Sequence, residues 1–468
     1  MRYIGCLVLV WLGMGLPGRA QSWVRTFGDT TRFDQGTSVV AWRDGGCLVL
    51  GTSDLDSAGG YDVLLTRLDA QGQVRWQRAF GTAQADFAQG LQRAGDTALV
   101  ATGSIYDLDA GRNDAFVLLA DTLGQLRWWR SYGDSLRNAS FKHIAPLPDG
   151  FVATGYISSP DGLGNDTYVV RLDPAGGLRW TSPLRDSLID VGHAALPLPD
   201  GGFMVAGDVQ RPDGRYNPYV ARLDSLGGVL WRQTFDSPYN GGAQSLLALR
   251  DGRWLLVGES VPDSTTTAFD FLLVKFDEAG QELWRRTLGD AGAEAAFQAC
   301  ELPDGDLYIG GYGLDTLSGQ TDLLVVRTDS LGHLRARAYY GGAAIDHGYS
   351  LAGVGEQGFV AAGFATAGSD TQYLLVRDSL PALRPLGLRK PLSPPSLYPV
   401  PLRAGGRYTL DGIAGAFDVQ IYDSQGAMVW QAASAPQVLR WPEGLTPGLY
   451  LVAVVQPGRQ YHIRVRAI

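Results

Sequence analysis

The chain has 468 residues, 45% of them hydrophobic and 19% charged, and its 48 acidic against 39 basic side chains give a net charge of −9. A chain of this composition buries a large core and is not disordered, and acidic charge spread without basic blocks argues against nucleic acid or an anionic membrane surface as partner. The 62 Gly and 24 Pro residues predict many short strands joined by tight turns rather than long helices.

The N-terminus combines Arg2, an apolar run from Ile4 to Leu16, and the small residues Gly18 and Ala20 before Gln21. Residues 1–20 are therefore expected to be a secretory signal peptide. The run is shorter than the roughly 20 residues needed to span a bilayer, and no later segment approaches that length, so no transmembrane segment is expected. Of the three cysteines, Cys6 lies in this leader, while Cys47 and Cys300 fall in different repeats and are expected to be buried free thiols.

Beyond the leader the sequence repeats. Trp23, Trp76, Trp128, Trp180, Trp231 and Trp284 occupy one position of a unit about 52 residues long, and Ala336 holds the same place in the next copy. A period this regular signals a solenoid, propeller or array. Each copy contains four apolar runs, such as VVAWRDGG, CLVLGTS, YDVLLTRLD and VRWQRAF, with the β-branched and aromatic content of antiparallel strands.

Four strands per unit and about seven units predict an all-β fold, a seven-bladed β-propeller over residues 21–380. The last copy loses its fourth strand after Asp378, and SWVRTF at 22–27 supplies one, so strand 22–28 is expected to close the ring. In the recurring L-D-x-x-G-x-x-x-W motif the Asp and Gly form the turn between third and fourth strands. The Trp is the structural anchor that packs each blade against its neighbour.

The repeat resembles secreted bacterial propellers whose blades read W-x-x-x-F-G-G, D-G-G-x-x-x-x-G and D-x-x-x-x-x-L-D-x-x-G-x-x-x-W, over Trp23 to Asp378. It is more distantly similar to the tryptophan-docking blades of quinoprotein dehydrogenases. Those blades carry Thr before the turn Gly, where this chain has Gln71, Leu123, Gly176, Leu226, Ala279 and Leu331, which argues against a quinone cofactor.

From Ser379 to Pro399 the composition shifts to proline, and residues 381–396 are expected to form an extended linker. Residues 397–468 hold about six short apolar runs with alternating pattern, expected as a small C-terminal β-sandwich. This tail resembles the type A C-terminal sorting domain of the type IX secretion system of Bacteroidota. The matching pieces are Tyr398, Pro399 and Pro401 of the opening motif, Asp423 and Gly426 after the central strand, Gly448 and Tyr450 of L-x-x-G-x-Y, and the basic closing strand Tyr461 to Ile468. The resemblance implies export through type IX machinery recognising 397–468, leaving the mature chain on the outer cell surface or released.

Two groups of polar residues are candidates for function. A column with one member per blade, Asp34, Asp86, Asn138, Asp190, Asn240, Glu294 and Asp346, stands at the entry to each first strand. In a closed ring it either caps local backbone or forms a circle of oxygen ligands at one channel mouth. Asp54, Asp56, Asp107 and Asp109 have the D-x-D spacing that calcium favours, without the rest of a calcium loop, so turn chemistry is the competing reading. The five histidines are dispersed without zinc spacing, no nucleophile elbow occurs, and no cofactor motif is found. The expectation is a secreted or surface-associated monomer acting as a binding or scaffold module for an unidentified glycan or protein. The competing class is an extracellular carbohydrate-active enzyme with its site at a channel mouth.

Overall fold

The computed structural model describes residues 22–28, 33–54, 60–82, 84–107, 111–133, 136–185, 189–237, 239–262, 268–289, 292–316, 318–368 and 370–380, followed by strands only beyond that point. The leader, Asp56, Asp109, Pro399, Pro401, Asp423 and Gly426 lie outside the described residues. No helix occurs among those described.

Seven four-stranded antiparallel sheets follow one another as the blades of a propeller. The first strands of the blades, Asp34–Ala41, Ala85–Ala94, Ala139–Leu147, Asp190–Pro197, Asn240–Ala248, Glu294–Glu301 and Asp346–Val354, neighbour one another in a closed circle around the axis. Second and third strands are almost wholly buried, as in CLVLGTS at Cys47–Ser53, because they are covered by blades on both sides. Most fourth strands are far less buried, as in Val74–Phe80, the exception being Leu334–Gly341, which is buried over most of its length. Apolar residues of adjacent blades merge into clusters that run blade to blade, so the core is a ring rather than a single centre.

The seventh blade is built from both ends of the propeller. Strand Trp23–Phe27 pairs antiparallel with Asp370–Asp378, placing Trp23 opposite Arg377 and Phe27 opposite Tyr373. The Phe27 and Tyr373 rings stack at 4.8 Å, and Ser22 Oγ donates to Asp378 Oδ1 at 2.6 Å.

The recurring tryptophan has one role throughout. Each Trp lies on the turn glycine of the following blade: Trp23 on Gly72, Trp76 on Gly124, Trp128 on Gly176, Trp180 on Gly227, Trp231 on Gly280 and Trp284 on Gly332. These glycines have φ between 76° and 85°, and a Cβ there would sit 2.6–3.0 Å from the indole, so both the backbone and the close approach demand glycine. The Asp opening each turn accepts two backbone N–H bonds, as Asp69 Oδ1 does from Gln71 and Gln73 at 2.9 Å. In the third blade the turn glycine is Gly176 itself, so Ala175 precedes it, not Gly176 as the sequence comparison placed it.

The same rule explains Ala336. Its Trp would need a turn glycine on the seventh blade, but there the chain runs on from Asp378 to Leu380 instead of turning back. Leu380 fills the space, accepting from Arg327 Nη1 at 2.8 Å and donating its N–H to Tyr308 Oη at 2.8 Å, and it shares a buried cluster with Ala336.

Part of the expected linker is a strand. Leu388–Pro391 pairs parallel with Leu334–Gly341 and adds a fifth strand to the sixth blade, using the unpaired backbone edge that a blade's last strand presents. Beyond it lie two antiparallel sheets, one of three strands and one of four. Tyr398 stands opposite Thr409 in the first, and Gly448 and Tyr450 stand opposite Ala467 and Val465 in the second.

Cys47 is buried and Cys300 partly buried, both as free thiols, and burial pushes each up to about 12.

Candidate functional site in the central channel

Each first strand carries a register shift against its second strand at the same height, between Gly36 and Ser38, Ala88 and Gly90, Phe141 and His143, Gly192 and Ala194, Ala243 and Ser245, Ala296 and Gln298, and Gly348 and Ser350. A bulge of this kind leaves one residue outside the ladder and re-aims its side chain. The seven bulge residues, Thr37, Gln89, Lys142, His193, Gln244, Phe297 and Tyr349, all line a central cavity of about 650 Å³. That volume is in the range of small-molecule sites.

At four blades the residue following the bulge bonds to the neighbouring blade. Ser38 accepts from Leu91 N–H at 3.1 Å, Ser350 from Val39 N–H at 2.9 Å, and Gln298 from Leu351 N–H at 3.1 Å. His143 occupies this position too. Its Nδ1 accepts from Ala195 N–H at 3.4 Å, and burial pushes it down to about 4, so it is a neutral brace between blades.

The wall is uneven around the ring. On blades four and five the wall residues are His193 and Gln244; His193 Nε2 lies 3.1 Å from Oδ2 of Asp208, which with Glu259 does not itself line the cavity, and Asp208 Oδ1 accepts from Ala243 N–H at 2.6 Å. Glu259 stands one blade on, bonded to the Gln244 side chain. Burial, reinforced by the Asp208 charge, raises its carboxyl to about 7, against the opposing pull of His193 and Gln244. On blades six and seven the wall residues Phe297 and Tyr349 are aromatic, and Tyr312, His347 and Phe364, which do not line the cavity, pack around them. Tyr312 stacks on His347 at 3.9 Å, Phe297 meets Tyr349 edge-on at 5.2 Å, and Phe364 tilts against His347 at 5.1 Å. Burial holds His347 near 4 and lifts Tyr349 to about 12, with the Gln35 side chain opposing the latter. His347 Nε2 pairs with Thr321 Oγ1 at 2.8 Å.

The Asp/Asn/Glu column is not this site. Asp34, Asp86, Asp190, Glu294 and Asp346 are buried beside the turns that enter the first strands, and no member of the column lines the cavity. Asp34 pairs with Ser53, Asp86 accepts from Thr82 N–H at 2.6 Å, Asn138 from Asn113 N–H at 2.8 Å, and Asn240 from Tyr216 N–H at 2.8 Å. Asp190 meets Arg232 at 3.0 Å, Glu294 approaches Arg337 at 3.9 Å, and Asp346 accepts from Gly342 and Thr366 N–H groups. These bonds are of the loop-holding kind, the first of the two roles the sequence offered for the column.

Asp54 and Asp107 each stand at the leading edge of a loop whose other candidate is not described, and among the described residues no three His, Cys, Asp or Glu side chains are grouped to hold a metal. The channel residues escaped the sequence reading because they vary from blade to blade, only Gln recurring, at 89 and 244. The usable signal was positional: each lies three or four residues after its column member, as His193 follows Asp190 and Gln244 follows Asn240.

No protein-family profile and no curated protein matches the chain. Among solved structures it is similar to a protein of unknown function from Bacteroides caccae, at 13% identity over 62% of this chain and 92% of that one, with a TM-score of 0.36. It is also similar to the β-propeller domain of the Trilobed protease from Pyrococcus furiosus, at 11% identity over 74% and 93% of the two chains, with a TM-score of 0.43. A third similarity is to PorZ of Porphyromonas gingivalis, a surface component of that organism's type IX secretion system, at 11% identity over 92% and 81%, with a TM-score of 0.25. None of these assigns an activity to this chain, and the propeller assignment rests on its own strand pairing.

Proposed function

We propose that this protein is an exported, surface-associated binding propeller that holds a small ligand, or the end of a longer one, in its central channel. The observation that carries the reading is the bulge ring. Seven equivalent positions, free of any role in the strand ladders, hold six residue types, Thr, Gln, Lys, His, Phe and Tyr, around one cavity. A purely architectural channel gives no reason for amides and a His–Asp pair on one arc and packed rings on the other. The export part rests on the leader at 1–20 and on the likeness of 397–468 to type IX sorting domains.

Two experiments test the two parts. Thermal melting of the full mature chain against soluble polysaccharides and peptides should find a ligand that raises the melting temperature of the wild type, because a ligand selective for the folded state stabilises it by mass action. Gln244→Ala with Tyr349→Ala should lose that rise. Expression in a Bacteroidota host with and without a working type IX system should put the chain on the surface only in the former, and only with 397–468 present.

The His193–Asp208 pair beside Glu259, a carboxyl that titrates near neutral pH, favours a second reading as a carbohydrate-active enzyme. New reducing ends or unsaturated products released from a bound polymer, and lost in Glu259→Gln, would establish it.

A further inference from the structure

Five buried third-strand cations follow one rule, while Arg377, in the same place on the seventh blade, donates instead to the backbone carbonyls of Gly45 and Ala70. Arg67 pairs with Asp44, Arg171 with Asp149, Arg222 with Asp200, Lys275 with Asp251 and Arg327 with Asp304, each joining a third strand to the turn between first and second strands. This is the expected treatment of a charge removed from water, which otherwise carries a desolvation penalty of several kcal/mol.

Lys142 differs. It is the half-buried bulge residue of the third blade, it faces the cavity, and among the described residues no carboxylate pairs with it. The carboxylates bonded to wall residues are engaged on other blades, Asp208 of the fourth by His193 and Ala243 N–H, and Glu259 of the fifth by Gln244. Burial alone holds its ammonium below the ordinary lysine value, with no opposing charge to restore it.

Its position in the ring adds a second constraint. Blades succeed one another by about one-seventh of a turn, so half a turn from the third blade falls between the sixth and seventh. That is where Phe297 and Tyr349 present their rings. A ligand bridging the channel therefore meets a cation on one side and an aromatic face on the other. Between them lie Gln89 and Gln244, whose amides offer both donors and acceptors.

We propose that the channel recognises a uronic-acid sugar, its carboxylate on Lys142, its ring face against Tyr349 and Phe297, and its hydroxyls on Gln89 and Gln244. Hydroxyls donate and accept at once, which suits amides, and the C–H face of a pyranose is the apolar partner that an aromatic wall takes. The carboxylate supplies the counter-charge that the fold withholds from Lys142 alone. This inference rests on the reading of the channel as a binding site and names its ligand class.

The test is calorimetric titration of the full mature chain with short oligomers of galacturonate, of mannuronate and guluronate, and of glucuronate-bearing disaccharide units, each beside its methyl ester. A C-terminal carboxylate peptide and its amide run as a parallel pair. At least one free-acid oligomer should bind roughly tenfold or more tighter than its ester, the scale of one charge-assisted hydrogen bond. Lys142→Gln should bring acid and ester to equal, weaker affinity, whereas Lys142→Arg should keep the preference. Melting curves of both variants check that they fold, and removal of an uncompensated buried charge is not expected to lower stability.

Acid and ester binding alike in the wild type, or a preference that survives Lys142→Gln, would overturn the inference while leaving the channel a binding site. A Lys142-dependent preference seen only with the peptide would overturn the sugar assignment. No heat with any probe would overturn the inference, and a flat melting screen as well would remove the binding reading beneath it.

Discussion

Glu259→Gln offers a quantitative test of the channel electrostatics. In the folded chain burial, then the neighbouring Asp208 charge, raise this carboxyl from an ordinary 4.5 to about 7. Below the ordinary value both folded and unfolded chains hold the proton, and the group contributes nothing to pH dependence. Between the two values the unfolded chain ionises while the folded chain stays protonated, so stability falls as pH rises. Above about 7 the full penalty is present. At about 1.4 kcal/mol per pH unit the shift amounts to roughly 3 kcal/mol as an upper figure. Gln keeps the shape and the bond to Gln244 without the charge, so the variant should be the more stable protein at pH 8 and equal to wild type at pH 4.5. For a propeller of this size the difference corresponds to about 4 °C in melting temperature. Denaturant unfolding of both proteins at pH 4.5, 6, 7 and 8 measures it directly. Both proteins keep Asp208 and His193, so the difference between the two curves reports Glu259 together with its coupling to them. Parallel curves across that range would refute the assigned burial and coupling.

Three further substitutions test the architecture. Trp23→Ala should cost about 3–5 kcal/mol in denaturant unfolding, the range for removing a buried Trp, and more than Trp180→Ala, because Trp23 is buried and Trp180 only partly so; equal losses would deny the first strand its part in ring closure. Gly124→Ala and Gly95→Ala both place a side chain at positive φ, but only the former drives its Cβ to 2.6 Å from Trp76, while nothing lies within 4 Å of the latter. The first should therefore cost roughly 1–3 kcal/mol more than the second. Ala336→Trp, which restores the repeat consensus, should lower the melting temperature, because Ala336 is fully buried and Leu380 already occupies the docking space; a rise would mean that the sixth blade can accept a docked indole.

The architecture was legible where backbone geometry dictates residue type. The turn Asp, the positive-φ glycine and the Trp on it impose the same chemistry in each blade, so they recur at a fixed period and announce both the fold and its strand count. Ala336 looked like degeneration of that pattern, but it marks the place where the chain does not turn back and no glycine awaits a Trp. The column from Asp34 to Asp346 was visible for the same reason as the turns, and the structure places those side chains with the turns. The channel wall was hidden by the opposite property. His193, Gln244 and Lys142 share a position and nothing else, and the cue to that position is a bulge, a shift in strand pairing that a single strand's sequence does not display. The pairing of His193 with Asp208 joins a first strand to the second strand beside it, and that of Asp208 with Ala243 N–H reaches across to the next blade.

The central claim is that ligand binds inside the ring, and hydrogen–deuterium exchange of the full chain with and without a ligand found by melting tests it most directly. The account predicts added protection at the bulges of the first strands, around residues 89, 142, 193, 244, 297 and 349, with the exposed fourth strands unchanged. Protection confined to the fourth strands or to the sheets beyond residue 396 would contradict it and place the ligand on the outside of the propeller or on its tail.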